Sequence, residues 1–302
     1  MSESISIVIP TLNGAETLPA VLDAIARQRI DLPVETIAVD SGSTDGTVAL
    51  LQQHHVQVVS IPAVNFDHGL TRNLALSRTS GDLVVLLVQD AVPSTDEWLA
   101  TLVAPLRHDS QLAGTFARQE PRSDAGAIAR YYHESYPAAS KCGRVVSLDG
   151  ADDFERLTPQ QRLDRCTFDN VCSCVRRSVW QRHPFRATPI GEDIAWAKDV
   201  LLAGHRLAYV PDALVVHSHR RSAHYEFWRT VTLHRELFSL FRLRTIPSVG
   251  ALLRAVTSSV ALHRRLEPDG RALALAVAWP LGQYVGGLSA ARGWRMRRRR
   301  GV

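Results

Sequence analysis

The chain has 302 residues, 45% of them hydrophobic, with a mean hydropathy of −0.06. That is enough for one large α/β domain, alone or with an appendage, around a sizeable core. The formal charge is +5, but Arg297 to Arg300 carry four of those charges and the rest of the chain stands at +1, which argues against a nucleic-acid-binding body.

The first hundred residues alternate strand and helix. Ile5 to Ile9 reads as a strand stopped by Pro10. The Asn13-Gly14 turn follows, then a helix over roughly 16–29 with Leu18, Val21, Leu22 and Ile25 on one face. Thr36 to Val39 is a second strand, ending at Asp40. It is followed by the small-residue loop Ser41-Gly42-Ser43-Thr44-Asp45-Gly46 and a helix from about Thr47. Val56 to Ile61 is a third strand, and Phe66-Asp67-His68-Gly69 leads into a helix carrying Arg72, Asn73 and Leu76. Leu83 to Val88 is an unbroken apolar run, as in a strand buried on both faces. It stops at Gln89-Asp90, and Pro93 is expected to bar further pairing. Right-handed crossovers make this a parallel doubly wound sheet, with Asp40 and Asp90 on its carboxyl edge.

Beyond it, Trp98 to Val103 is helical, Leu112 to Ala117 a strand, and Ala127 to Tyr132 a helix. Ser140 to Phe154 reads as a mobile loop. Asn170 to Val175 is a strand, and Val179 to Phe185 a short helix and turn. Gly191-Glu192-Asp193 opens a helix that Gly204 ends. Leu207 to Val210 and Ala213 to Val216 are two short strands, closed by His217-Ser218-His219. The rest is helical: an amphipathic stretch from Phe227 to Leu240, a second over 249–266, and an uncharged third over 272–290. The third carries Pro280, Gly282, Gly286 and Gly287 and is marginal as a membrane span. The four cysteines, Cys142, Cys166, Cys172 and Cys174, fit no zinc spacing and are expected to be free thiols in a reducing compartment. No basic-then-apolar leader opens the chain, which points to the cytoplasm.

Each polar candidate has two readings. Asp90 is a ligand for a hard divalent cation or a carboxylate capping a turn. Asp40 accepts from a nucleobase imide or ribose hydroxyl, while Asp45 or Thr44 caps the next helix. Glu192-Asp193 complements the helix dipole or supplies a general base for a hydroxyl. His217 and His219, two apart, share a face as metal ligands or as polar surface. Arg72 reaches a nucleotide or lies on a helix surface. Trp196 is core or a stacking platform. With neither Gly-x-Gly-x-x-Gly nor a P-loop, those phosphate-binding modes are not expected.

Five segments in order resemble a known family: Ile7-Val8-Ile9-Pro10-Thr11-Leu12-Asn13, Val39-Asp40-Ser41-Gly42-Ser43-Thr44-Asp45-Gly46-Thr47, Arg72-Asn73, Asp90 with Pro93, and Gly191-Glu192-Asp193. Together they resemble family 2 glycosyltransferases with the GT-A fold, over residues 4 to 220. The resemblance implies a Rossmann-like, doubly wound, mostly parallel sheet over residues 1–222; the sequence pattern adds a C-terminal all-helical region with a basic tail over 223–302. Thr11, Asp40 and Arg72 would hold the base and ribose, with Pro10, Asn13 and Gln89 in the same donor-binding set. Asp90 corresponds to the second acid of the family's Asp-x-Asp pair. Val88 stands in place of the first, which raises the importance of His217 as a ligand for Mg2+ or Mn2+. Asp193 would be the base of an inverting transfer. Glu192, Arg118, Gln119 and Trp196 would meet the acceptor or sugar.

Phe66 to Asn73, Gln89-Asp90-Ala91, Ala117-Arg118-Gln119 and Tyr209-Val210-Pro211-Asp212-Ala213 are similar to bacterial rhamnosyltransferases. That likeness implies a dTDP-rhamnose donor, with a UDP-hexose as the alternative. The acceptor would be a glycan or lipid-linked glycan of cell-surface polysaccharide synthesis. The basic tail of Arg292, Arg295 and Arg297 to Arg300, with the apolar third helix, points to peripheral contact with the inner face of the plasma membrane; the alternative is a helical subdomain that packs on the sheet or on a second subunit, as in a homodimer. A nucleotide-sugar-binding scaffold without transfer activity is a second class, but a binder needs no base.

Overall fold

The structure is a computed structural model that describes residues 3–219 and 221–294. Strands β1 (Ile5–Thr11), β2 (Val34–Asp40), β3 (Gln57–Ser60) and β4 (Leu83–Leu87) alternate with helices α1 (Leu18–Ala26), α2 (Thr47–Gln53) and α3 (His68–Ser77). Then come β5 (Val92–Pro93), α4 (Trp98–His108), β6 (Leu112–Glu120), α5 (Ala127–Glu134), β7 (Arg144–Val146), α6 (Ala151–Arg156) and α7 (Pro159–Arg165). β8 (Cys172–Arg176), α8 (Arg177–Arg182), α9 (Glu192–Leu202) and β9 (Arg206–Val216) complete the sheet region, before α10 (Ala223–Phe241), α11 (Val249–Leu266) and α12 (Gly270–Ala291).

One sheet runs in the order β3-β2-β1-β4-β8-β6-β9-β5, with β7 on β9. The β3-β2-β1-β4 half is wholly parallel, as the alternation of strand and helix requires. The other half is mixed. β8 lies antiparallel between β4 and β6, and β9 returns parallel to β6. β4 is buried throughout. Leu83, Val85 and Leu87 meet α1 and α4 on one face, while Val84 and Leu86 meet the side holding α3 and α9.

Several local expectations are corrected. The 140–154 segment is no loose loop. Arg144–Val146 pairs with β9, Tyr209 donates its hydroxyl to the Ser140 carbonyl (2.6 Å), and Phe154 is sealed in the core. The two short strands after Gly204 are one, because the register along β6 skips from Val210 to Leu214 and absorbs Pro211–Ala213. Pro93 does pair, opposite Val215 in a two-residue strand, which needs no N–H from the proline. No described helix is long and apolar enough to cross a membrane. α12 packs instead on α10. A Cβ on Gly286 would lie 2.5 Å from the Val231 carbonyl oxygen, so only glycine lets the two helices come this close. The basic tail from Arg295 lies outside the described residues; the four cysteines are unpaired.

Candidate active site

The loops at the carboxyl ends of β1, β2 and β4 are tied by their own polar side chains. Asp40 sits opposite Thr11 in register. It accepts from the Thr11 hydroxyl (3.1 Å), from the Gly42 and Ser43 amides (3.0 and 2.9 Å) and from the Ser43 hydroxyl. Asn13 accepts from the Thr44 amide (2.9 Å), and its own amide donates to the Ser43 hydroxyl (2.8 Å). Gln89 bonds both ways to Leu12, accepting from its amide (2.8 Å) and donating to its carbonyl (3.0 Å). Pro10 lies beside Thr11 near the end of β1, half-buried. Thr11, Asn13, Asp40 and Gln89 therefore form one scaffold that fixes the rim. Their polar atoms are largely spent on it.

Asp90 follows directly. β5 pairs antiparallel with β9, Val92 opposite Val216. Residues just before Val92 thus lie alongside those just after Val216, which brings Asp90 to His217 and His219. Nε2 of His217 is 3.6 Å from one Asp90 oxygen, Nδ1 of His219 is 3.2 Å from the other, and the two Nε2 atoms are 3.0 Å apart. One ligand atom from each of the three falls within a 4.8 Å span. Burial, with Arg221 and Arg229 nearby, pushes His217 down to about 4. Burial, the His217 ring and Arg221 do the same to His219. Both rings are neutral at pH 7 and offer lone pairs. One carboxylate and two imidazoles therefore fit a divalent cation, and Val88, packed at the edge of the core, takes no part.

Asp193 and Glu192 stand in the first turn of α9, entered through Gly191 at φ +79°, a conformation that side chains avoid. Asp193, half-buried, accepts from the Asn170 amide (3.3 Å) and the Ile194 amide (2.8 Å). Burial, then Glu192 and Asp169, push its carboxyl well above the usual range. Glu192, expected to meet acceptor or sugar, turns inward instead. It is 4% exposed and faces Arg72 at 3.1 Å, with the Asn170 side-chain amide at 3.2 Å. Arg72 in turn is buried, paired to Glu192 and donating to the His68 carbonyl (3.0 Å), rather than projecting outward. Trp196 is corrected too. It is fully buried against Phe168 and Phe185, its indole N–H donating to the His183 carbonyl, so its volume fills core.

Arg118 donates to the Pro211 carbonyl (2.9 Å) and pairs with Glu120 (2.7 Å), which braces the irregular turn in β9. Gln119 is buried. Its amide donates to Asp169 (2.7 Å), and its carbonyl oxygen lies 3.2 Å from Nδ1 of His217. Asp169 is a site residue that sequence reasoning missed. It also accepts from the Tyr136 hydroxyl (2.7 Å) and the Val171 amide (2.8 Å). Its only signal is an Asp-Asn pair just ahead of a strand. Hydrogen bonds and close charges thus connect Asp90, His217, Gln119, Asp169 and Asp193, brought from five separate stretches of chain.

Residues 6–179 match the family model described as glycosyl transferase family 2. The chain is 33% identical over 230 residues to the O-antigen chain rhamnosyltransferase RfbN of Salmonella typhimurium, covering 74% of this chain and 69% of that protein. It is 28% identical over 230 residues to the O-antigen chain rhamnosyltransferase WbaN of Salmonella anatum, covering 75% and 70%. Among solved structures it resembles the mannosyltransferase PcManGT of Pyrobaculum calidifontis in complex with GDP-Man and Mn2+. There the TM-score is 0.56 and the identity 19%, over 98% of this chain and 77% of that one. It also resembles the Mycobacterium tuberculosis glucosyl-3-phosphoglycerate synthase in complex with Mn2+, UDP and glucosyl-3-phosphoglycerate, with TM-score 0.56, 22% identity and 82% of each chain. Sheet order, rim carboxylates and sequence all lead to one assignment: the chain is a glycosyltransferase and belongs to glycosyl transferase family 2.

Proposed function

We propose that the protein transfers L-rhamnose from dTDP-rhamnose, with inversion, to a glycan or lipid-linked glycan acceptor in bacterial cell-surface polysaccharide synthesis. The observation that carries the chemistry is the join between a carboxylate of raised basicity, Asp193, and the Asp90–His217–His219 cluster. The rhamnose assignment rests on the two O-antigen rhamnosyltransferase relatives.

Asp193 takes the proton of the attacking acceptor hydroxyl. The Asn170 and Ile194 amides aim its carboxylate, and burial, then the Glu192 charge beside it, raise its affinity for that proton. Asp90, His217 and His219 would hold the cation, and a nitrogen-rich set of this kind favours Mn2+ over Mg2+. When bound, a divalent cation would supply positive charge for the leaving nucleoside diphosphate. The scaffold of Thr11, Asn13, Asp40 and Gln89 shapes the cleft for the donor, and fixes it before the donor arrives.

The test is a donor panel. Nucleoside diphosphate release and thermal shift are measured with dTDP-rhamnose and with UDP-hexoses, each with Mn2+, Mg2+ or EDTA. Preference for dTDP-rhamnose with Mn2+ is expected. Faster turnover with a UDP-hexose would discard the rhamnose assignment, and full activity in EDTA would discard the cation.

The acceptor side suggests work at the cytoplasmic face of a membrane. Leu253, Val277 and Leu281 are exposed on the C-terminal helices, and the sequence beyond them carries the run Arg297 to Arg300. Basic residues near an anionic leaflet are worth about 1 kcal/mol each. Deleting residues 295–302 is expected to reduce sedimentation with anionic vesicles, and unchanged sedimentation would discard the tail's role.

A further inference from the structure

Asp169 touches none of the three groups proposed to hold the cation, and no motif marks it. Its surroundings nonetheless fix an orientation. The Val171 amide donates to Oδ1 of Asp169 (2.8 Å), while the Tyr136 hydroxyl and the Gln119 amide both donate to Oδ2 (2.7 Å each). A carboxylate only accepts. Gln119 must therefore turn its NH2 toward Asp169 and its carbonyl oxygen toward His217. That oxygen lies 3.2 Å from Nδ1 of His217 and can only accept, so Nδ1 carries the ring proton. Nε2 is then bare, and it is Nε2 that faces Asp90 and His219.

We propose that Asp169, acting through Gln119, is a positioning residue that locks His217 in the Nδ1–H tautomer and so presents the Nε2 lone pair to a divalent cation. This rests on the reading of Asp90, His217 and His219 as the cation site. Gln119 and Asp169 are both buried, so water does not compete for the relay.

The geometry makes the isosteric change Asp169→Asn informative. The Val171 amide keeps an oxygen at the Oδ1 position, so the new NH2 must occupy the Oδ2 position and face Gln119. Gln119 then has to flip, presenting its own NH2 to Nδ1 of His217. The ring responds by moving its proton to Nε2, where it blocks the cation. The double variant Asp169→Asn with Gln119→Glu reverses this. One oxygen of the introduced carboxylate accepts from the introduced amide and the other from Nδ1–H of His217, with the total charge unchanged.

Two readouts test it, neither of them turnover. Nitrogen-15 NMR of the metal-free protein, with the His217 signals assigned by their loss in His217→Asn, reports the tautomer. Mn2+ binding is followed by electron paramagnetic resonance. Wild type is expected to show Nδ1–H, and Asp169→Asn to show Nε2–H with Mn2+ bound at least about tenfold more weakly, in the range outer-shell changes produce. The double variant is expected to return to Nδ1–H and to within about threefold of wild-type affinity, the penalty being relieved rather than compounded. An Nε2–H tautomer in wild type would overturn the proposal, and this needs no variant to fold. So would an unchanged tautomer in Asp169→Asn, or a double variant no better than the single one. Nδ1–H in wild type without Mn2+ binding would support the relay and overturn the cation site instead.

Discussion

The Arg72–Glu192 pair gives the sharpest energetic prediction. The groups are 3.1 Å apart, with side chains 6% and 5% exposed. Arg72→Met keeps most of the volume and removes the charge. Glu192 then stays buried with only the Asn170 amide as a side-chain partner. Removing one partner of a buried pair costs about 3–5 kcal/mol, a large share of the roughly 5–15 kcal/mol that holds a protein folded. The double variant Arg72→Met with Glu192→Gln leaves no stranded charge and should recover most of the loss. The pH dependence has a definite sign. Burial pushes Glu192 up, but Arg72 and His68 pull it down further, so its carboxyl lies below the ordinary value of 4.5. The pair thus stabilises the fold above that pH, and the contribution fades as pH falls through the lower folded value. In Arg72→Met burial is opposed only by the weaker pull of His68 and the hydrogen bonds to Glu192, so Glu192 titrates upward and stability drops as pH rises. Urea denaturation at pH 5 and pH 7.5 should show the gap between variant and wild type widening with pH. A gap under about 1 kcal/mol at pH 7.5, or one independent of pH, would refute this account of the pair.

Four further outcomes are expected. Asp193→Asn should lower turnover by about 10²–10⁴-fold while raising the melting temperature at pH 7.5. Its native carboxyl is held above the unfolded value of 3.8, which costs stability at every pH above that value. For the same reason the acid limb of kcat/KM in wild type should lie above the ordinary carboxylate range, since Asp193 must lose its proton to act. In native protein a thiol reagent should titrate Cys142 alone, against four thiols in denaturant. Burial lifts Cys166 to about 12 and raises Cys172 and Cys174 strongly, and Cys142 is the exposed one. Gly286→Leu should detach α12 from α10, seen as new protease cleavage after Arg271 or Arg292 at a temperature where wild type is uncut, because its Cβ has no room beside Val231.

The parallel half of the sheet was legible because each strand there is a local apolar run followed by a helix of clear period. β4 announced itself by having no polar position at all. The other half was harder. β8 runs antiparallel and β9 skips three residues, and neither direction nor register leaves a mark in composition. The rim acids were found from their place at strand ends, and their neighbours were not. Glu192 and Arg72 each looked like a group reaching for a ligand, and only the fold brings them together. Asp169 and Gln119, fifty residues apart, met through the pairing of β6 with β8. Trp196 had two readings in sequence, and packing against Phe168 decided for the interior.

α10 is built into both halves of the molecule. Its Leu237 and Phe241 belong to the same core as Phe154, Trp196 and Phe168, while its opposite side receives the glycines of α12. A chain cut at residue 222 would therefore lose a wall of the catalytic half along with the helical one. The C-terminal helices work as a splint for the transfer machinery, and grafting them between relatives would mean carrying the interior residues beneath them as well.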